Sequence, residues 1–164
     1  MIRCHSLSIP NTGKVLLFAR RSEGAIAQLQ DTLKLDPDFS EAKIWLGVAY
    51  AETGRYDDAL ASLATVRDKN MSLAWTGYVY AKAGRRAAAG QVLLELEQMK
   101  ASGPLSALCV YLGLGEKDKA FAALEQACET HSVAMTSLKV NPAYDSIRSD
   151  SRCAQLLRRV QLAP

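Results

Sequence analysis

The chain has 164 residues, with 20 basic against 17 acidic side chains and 49% apolar residues. That size and apolar content fit a single folded domain and exclude a disordered tail. A net charge of +3 is too small to argue for nucleic acid or an anionic membrane as partner. Alanine and leucine are abundant while glycine and proline are sparse, which favours helices packed through small residues.

Taken in order, residues 1–13 read as an irregular N-terminal segment. The apolar run Val15 to Ala19 is too short and too late for a signal peptide. A shortened first helix is expected near Lys14 to Arg20, followed by an amphipathic helix from Ser22 to Leu35 and then Pro37. From there the chain repeats. Tyr50, Tyr80 and Tyr111 are followed by Gly54, Gly84 and Gly115, then Ala59, Ala89 and Ala120, then Leu63, Leu93 and Leu124. Each series steps by 30 and then 31 residues, and Ala25 and Leu29 extend it upstream by 34. Each unit is an apolar helical stripe stopped by a glycine able to take the left-handed conformation, then a second helix. The alanines should fall where helices cross. One pair cannot bury its apolar face alone, so the pairs must stack.

These residues resemble the tetratricopeptide repeat, a unit of about 34 residues with Leu-Gly and Tyr in its first helix and Ala, a bulky residue and Ala in its second. Unit two carries Leu46-Gly47, Tyr50, Gly54, Tyr56, Ala59 and Leu63; units three and four keep the Tyr, Gly, Ala and Leu positions. Two departures are the tryptophans, displaced to Trp45 and Trp75, and a linker after unit two that is shorter by about one helical turn. The resemblance implies an all-α fold, a right-handed superhelical solenoid of antiparallel helix pairs. Its units are a partial one over 14–37, then 38–69, 70–100 and 101–131, closed by a capping segment over 132–164.

In the closing segment, Ser132 to Val140 is expected as a short helix ended by Asn141-Pro142. Ser149 to Val160 is expected as the capping helix, with Ser149 or Asp150 as its cap. The wording from Leu138 to Arg152 is similar to the end of tetratricopeptide regions at the C-termini of larger bacterial regulators that carry kinase, cyclase or winged-helix domains. Asn141, usually acidic there, and Cys153, usually phenylalanine, depart from that pattern. By this resemblance the chain looks like a detached C-terminal sensor or scaffold region.

No phosphate-binding glycine loop, nucleophile elbow or HExxH is present. Cys4, Cys109, Cys128 and Cys153 form no CxxC pair, and His5 and His131 are far apart, so no metal site, cofactor or catalytic residue is expected. The four cysteines read as reduced thiols, and no stretch is long enough to cross a bilayer, so the chain is read as soluble and cytoplasmic.

In the resembling family, the first helices of successive units line a concave groove. That implies a protein or peptide site made of Leu17 and Phe18, then Ile44, Val48 and Glu52, then Ala74, Tyr78 and Lys82, then Leu105, Cys109 and Leu112. Tyr78 is the expected anchor, because aromatic side chains dominate such sites. A competing reading has these side chains packed against the N-terminal segment, another subunit or a missing domain. The functional expectation is a non-catalytic interaction scaffold. The alternative is a self-association or regulatory docking domain, with a homo-oligomer as one form of it.

Overall fold

The computed structural model describes residues 11–99, 104–130 and 132–160. Residues 1–10, with Cys4 and His5, and likewise Lys100 and His131, lie outside the described residues. Eight helices come first: α1 (Thr12–Phe18), α2 (Ser22–Leu35), α3 (Ser40–Glu52), α4 (Tyr56–Ala64), α5 (Lys69–Lys82), α6 (Arg86–Gln98), α7 (Pro104–Leu114) and α8 (Lys117–Glu129). They pack as four consecutive pairs, and α1, α3, α5 and α7 also touch one another in sequence, most extensively α5 with α7. The fold is an all-α solenoid, with the first helices of the pairs forming one continuous row.

The repeated residues do the work their spacing suggests. Ala25, Ala59, Ala89 and Ala120 are each 0% exposed. At the α3–α4 crossing, a Cβ added to Gly47 would lie 2.8 Å from Leu63 Cγ and 3.3 Å from the Ala59 carbonyl oxygen, so the two backbones approach as closely as a missing side chain permits. Gly54, Gly84 and Gly115 end their helices in the left-handed region. In each case the next amide donates to a tyrosine carbonyl five residues back: Arg55 to Tyr50 at 2.8 Å, Arg85 to Tyr80 at 2.8 Å and Glu116 to Tyr111 at 3.0 Å. In α6 the buried stripe is offset by one position, with Val92 inside and Leu93 half-buried.

The missing turn after unit two lies in the helix. α4 has 9 residues, against 14 in α2 and 13 in both α6 and α8. Val66 tucks into the core just beyond it, and Asp68 Oδ1 caps α5 by accepting from Met71 N at 3.0 Å. Ser72 Oγ donates to the Leu63 carbonyl at 2.8 Å, satisfying the end of the shortened helix.

Beyond α8 the expected short helix is a 3-10 turn at Val133–Ser137. A second 3-10 turn follows at Pro142–Tyr144, capped by Asn141 Oδ1, which accepts from Ala143 N at 3.0 Å. It leads into the one-turn α9 (Asp145–Arg148), then α10 (Ser151–Arg159), where Asp150 serves as the cap. α10 lies on α8 and buries Cys153 and Leu156. Arg152 stacks 4.1 Å from the centre of the Phe121 ring and pairs with Asp118 and Asp150, so this arginine is internally committed.

Candidate functional site

The row of first helices presents a chain of aromatic rings. Phe18 meets Trp45 edge-on at 5.4 Å between ring centres, Trp45 meets Trp75 at 5.8 Å, and Trp75 meets Tyr78 edge-on at 5.5 Å. These are the separations and tilts that ring quadrupoles favour. Lys14 Nζ sits 4.9 Å over Trp45 and 3.2 Å from Glu41, whose Oε1 also accepts from Trp45 Nε1 at 3.2 Å. One end of the row is therefore fixed by a shared carboxylate.

Residues 136–146 cross this row and leave a hollow on either side. The larger, about 290 Å³, lies between Trp45, Met71, Trp75, Leu105 and Cys109, with Asn141 and Tyr144 as its far wall. That is near the lower limit for a ligand pocket and suits one large apolar side chain. The smaller, about 150 Å³, lies between Glu52, Tyr78, Lys82 and Leu112 on one side and Pro142, Ala143 and Asp145 on the other. A shallow depression of about 530 Å³ by Gly115–Lys119 and Arg152 is larger, but its Arg152 and Lys119 are already ion-paired, to Asp118 and Glu116 at 2.8 Å each.

Burial governs the titration of the groups along this row. Tyr78 is 2% exposed and donates to Glu52 Oε1 at 2.5 Å. Desolvation first, then the negative charge and hydrogen bond of Glu52, push its phenol well above the usual value. Desolvation pushes the Cys109 thiol up to about 12, and raises Tyr144 as well. Lys82 Nζ lies 3.2 Å from the same Glu52 carboxylate. The raised values keep Tyr78, Cys109 and Tyr144 protonated at neutral pH.

The residues expected to line a groove do not form one surface. Leu17, Ile44, Val48, Tyr78 and Leu112 are buried, Val48 and Leu17 completely. Tyr78, the expected anchor, is therefore a core residue with its hydroxyl on Glu52. Ala74, Leu105 and Cys109 border the larger hollow; Glu52 and Lys82, with Tyr78 and Leu112, border the smaller. Phe18 is half-buried at the end of the aromatic row.

Lys14, Met71, Trp45, Trp75, Ser106 and Tyr144 were not in the expected set, yet all border the larger hollow. A signal for the first five existed. Glu41, Trp45, Val48 and Glu52 recur 30 positions later as Met71, Trp75, Tyr78 and Lys82, and the same offsets reach Lys14 and Phe18 upstream and Ser106 and Cys109 downstream. The i, i+4, i+7, i+11 spacing is one helical face. The expected set took Phe18, Val48, Tyr78 and Cys109 from that face and left out Lys14, Trp45, Met71, Trp75 and Ser106. Tyr144 carried no such signal, because it comes from outside the repeats.

Stacked helix pairs whose first helices form one continuous row define the class, a helical-repeat protein of the solenoid type. A family model described as tetratricopeptide repeat matches residues 11–74, and a second of the same description matches residues 106–130. Together they span more than half of the chain, which belongs to the tetratricopeptide-repeat family. Repeats of this kind act in protein–protein interaction. No curated protein matches the chain. Among the described residues no helix is long and apolar enough to cross a membrane, and no group of three or more His, Cys, Asp or Glu could hold a metal ion.

Proposed function

We propose that the chain is a non-catalytic protein-binding scaffold that takes one large apolar side chain of a partner segment into the hollow between Trp45, Met71, Trp75 and Leu105. The observation that carries this reading is an unfilled apolar space of about 290 Å³ walled by two tryptophans. Met71 at its rim is 42% exposed, and an exposed methionine beside aromatic rings is an adaptable contact surface. Burying a large side chain there removes apolar area from water on both partners.

Trp45 and Trp75 are the two tryptophans of the sequence, so intrinsic fluorescence reads the hollow directly. Peptides selected from a random library against the chain should carry a large apolar residue and alter tryptophan emission on binding. Ala74→Leu, which adds bulk to the hollow, should weaken them at least tenfold. Selected peptides that bind without changing emission and tolerate Ala74→Leu would place the interaction surface elsewhere. A concentration-dependent dimer in light scattering, abolished by Ala74→Leu, would identify a second copy as the occupant.

A further inference from the structure

The tryptophan hollow has apolar walls interrupted at two polar points. Ser106 on α7 is 8% exposed, and Asn141 on the crossing segment is 3% exposed. Both border the hollow. Side chains more than nine-tenths buried ordinarily spend their hydrogen-bonding capacity within the protein. Asn141 spends only part of it. Its Oδ1 accepts from Ala143 N at 3.0 Å, which fixes the orientation of the amide and leaves Nδ2 as the end carrying two N–H donors. Among the described residues nothing accepts from that Nδ2, and the Ser106 hydroxyl has no hydrogen-bond partner. Neither atom is sealed from solvent. The other polar side chains of the hollow are committed, Lys14 to Glu41 and the Tyr144 phenol to Ser137.

These two groups decide what can fill the space. A purely hydrocarbon side chain would cover a hydroxyl and an amide and leave both stranded, at the full cost of their desolvation. An indole N–H can only donate, so it could serve Ser106 and would still strand the Asn141 donors. A carboxylate could accept from both, but it would bring a charge among Trp45, Trp75 and Leu105, where Lys14 is already paired. A phenol answers both demands with one atom. Its oxygen accepts from Asn141 Nδ2 while its O–H donates to Ser106 Oγ, and its ring supplies the apolar surface that the walls require.

We propose that the occupant of the hollow is a tyrosine side chain of the partner segment, with its ring against Trp45 and Trp75 and its hydroxyl on Ser106 and Asn141. The inference rests on the reading of the hollow as a protein-binding site and adds which side chain that site selects.

N-acetyl-tyrosinamide and N-acetyl-phenylalaninamide differ by that hydroxyl alone and serve as the probes. Their binding to the full chain is read from tryptophan emission, excited at wavelengths that tyrosine does not absorb. The tyrosine probe should bind tighter than the phenylalanine probe by about tenfold or more, because a site with polar groups placed for a hydroxyl rejects the analogue that lacks it. Ser106→Ala should cut that preference to about threefold or less, since one of the two stranded groups is gone. Its melting temperature should not fall, because the hydroxyl has no partner to lose, so a lost preference would not be a lost fold. Equal affinity for the two probes, with both abolished by Ala74→Leu, overturns the inference and leaves the hollow a site for apolar side chains. A tyrosine preference undiminished in Ser106→Ala overturns it as well. Binding of neither probe, or binding that tolerates Ala74→Leu, overturns the reading of the hollow itself and the inference with it.

Discussion

Arg20 Nη2 stands 2.5 Å from Asp145 Oδ1, joining the corner of the first helix pair to the segment that follows the last one. The side chains are 42% and 48% exposed, so the pair itself contributes no more than about 1 kcal/mol after solvent screening. Its importance lies in where it is made. A stack of helix pairs has no other built-in reason for its first unit to touch its closing segment, and the contact is made by a residue whose backbone is in the left-handed region.

Two substitutions at Arg20 separate backbone from side chain. Arg20→Ala and Arg20→Gly both delete the ion pair and the bond to the Val140 carbonyl. Glycine relieves the left-handed strain; alanine keeps it, at about 1 kcal/mol relative to glycine. In urea unfolding, Arg20→Gly should therefore be more stable than Arg20→Ala by about 1 kcal/mol. The opposite order would show that the turn does not hold this conformation in solution.

Two helical glycines should respond in opposite directions to the same change. In Gly47→Ala the new Cβ meets Leu63 Cγ at 2.8 Å, and Leu63 is fully buried, so it has little room to yield. Overpacking of roughly 1–3 kcal/mol should outweigh the gain of about 1 kcal/mol in helix propensity. Gly90, inside α6, has nothing within 4 Å of an added Cβ. Gly90→Ala should stabilise by about 0.5–1 kcal/mol. Thermal melts of the two variants check the pair, and a stabilised Gly47→Ala would contradict the close α3–α4 crossing.

What the sequence makes legible here is whatever repeats. The alanines at the crossings, the glycine turns and the helix pairs recur at fixed steps, and their burial and conformation follow from backbone geometry. The face of the first helices was legible to within one position. Apolar residues are adjacent at Ile44-Trp45 and Ala74-Trp75, and only comparing the two helices shows that the two tryptophans share one face. The crossing segment was not legible. Its place depends on Tyr144 and Arg20, one outside the repeats and the other at a turn where glycine was the expected residue.

Acid should loosen the end of the molecule before the repeats. Hydrogen bonds from the Arg152 side chain and backbone N–H hold the Asp150 carboxyl down to about 2. A carboxylate with a lowered folded value stabilises the fold above its unfolded value, roughly 3.9, and that contribution disappears as pH falls toward 2. From pH 7 to about 4, melting temperatures of the native chain and Asp150→Asn should run parallel, with the native chain higher. Below that they should converge, because protonation removes what the substitution has already removed. Parallel curves down to pH 2 would mean that the Asp150–Arg152 contact is not made in solution.

Tyr78 is a residue to alter gently. At 2% exposure, with its ring against Trp75, Tyr78→Ala would open a core cavity at a cost of roughly 3–5 kcal/mol. A loss of partner binding in that variant would report on the fold and not on contact. Tyr78→Phe keeps the ring and deletes only the hydroxyl that donates to Glu52. Glu52 retains Lys82 at 3.2 Å, so the carboxylate is not stranded and the cost should be about 1–2 kcal/mol. The variant should also change the alkaline limb. The native phenol is held protonated well above its ordinary value, so the unfolded chain gains by ionising first and stability is lost as pH rises past about 10. Tyr78→Phe should lose less stability than the native chain over that range. An equal alkaline loss in both would show that burial of this hydroxyl is not what the fold defends.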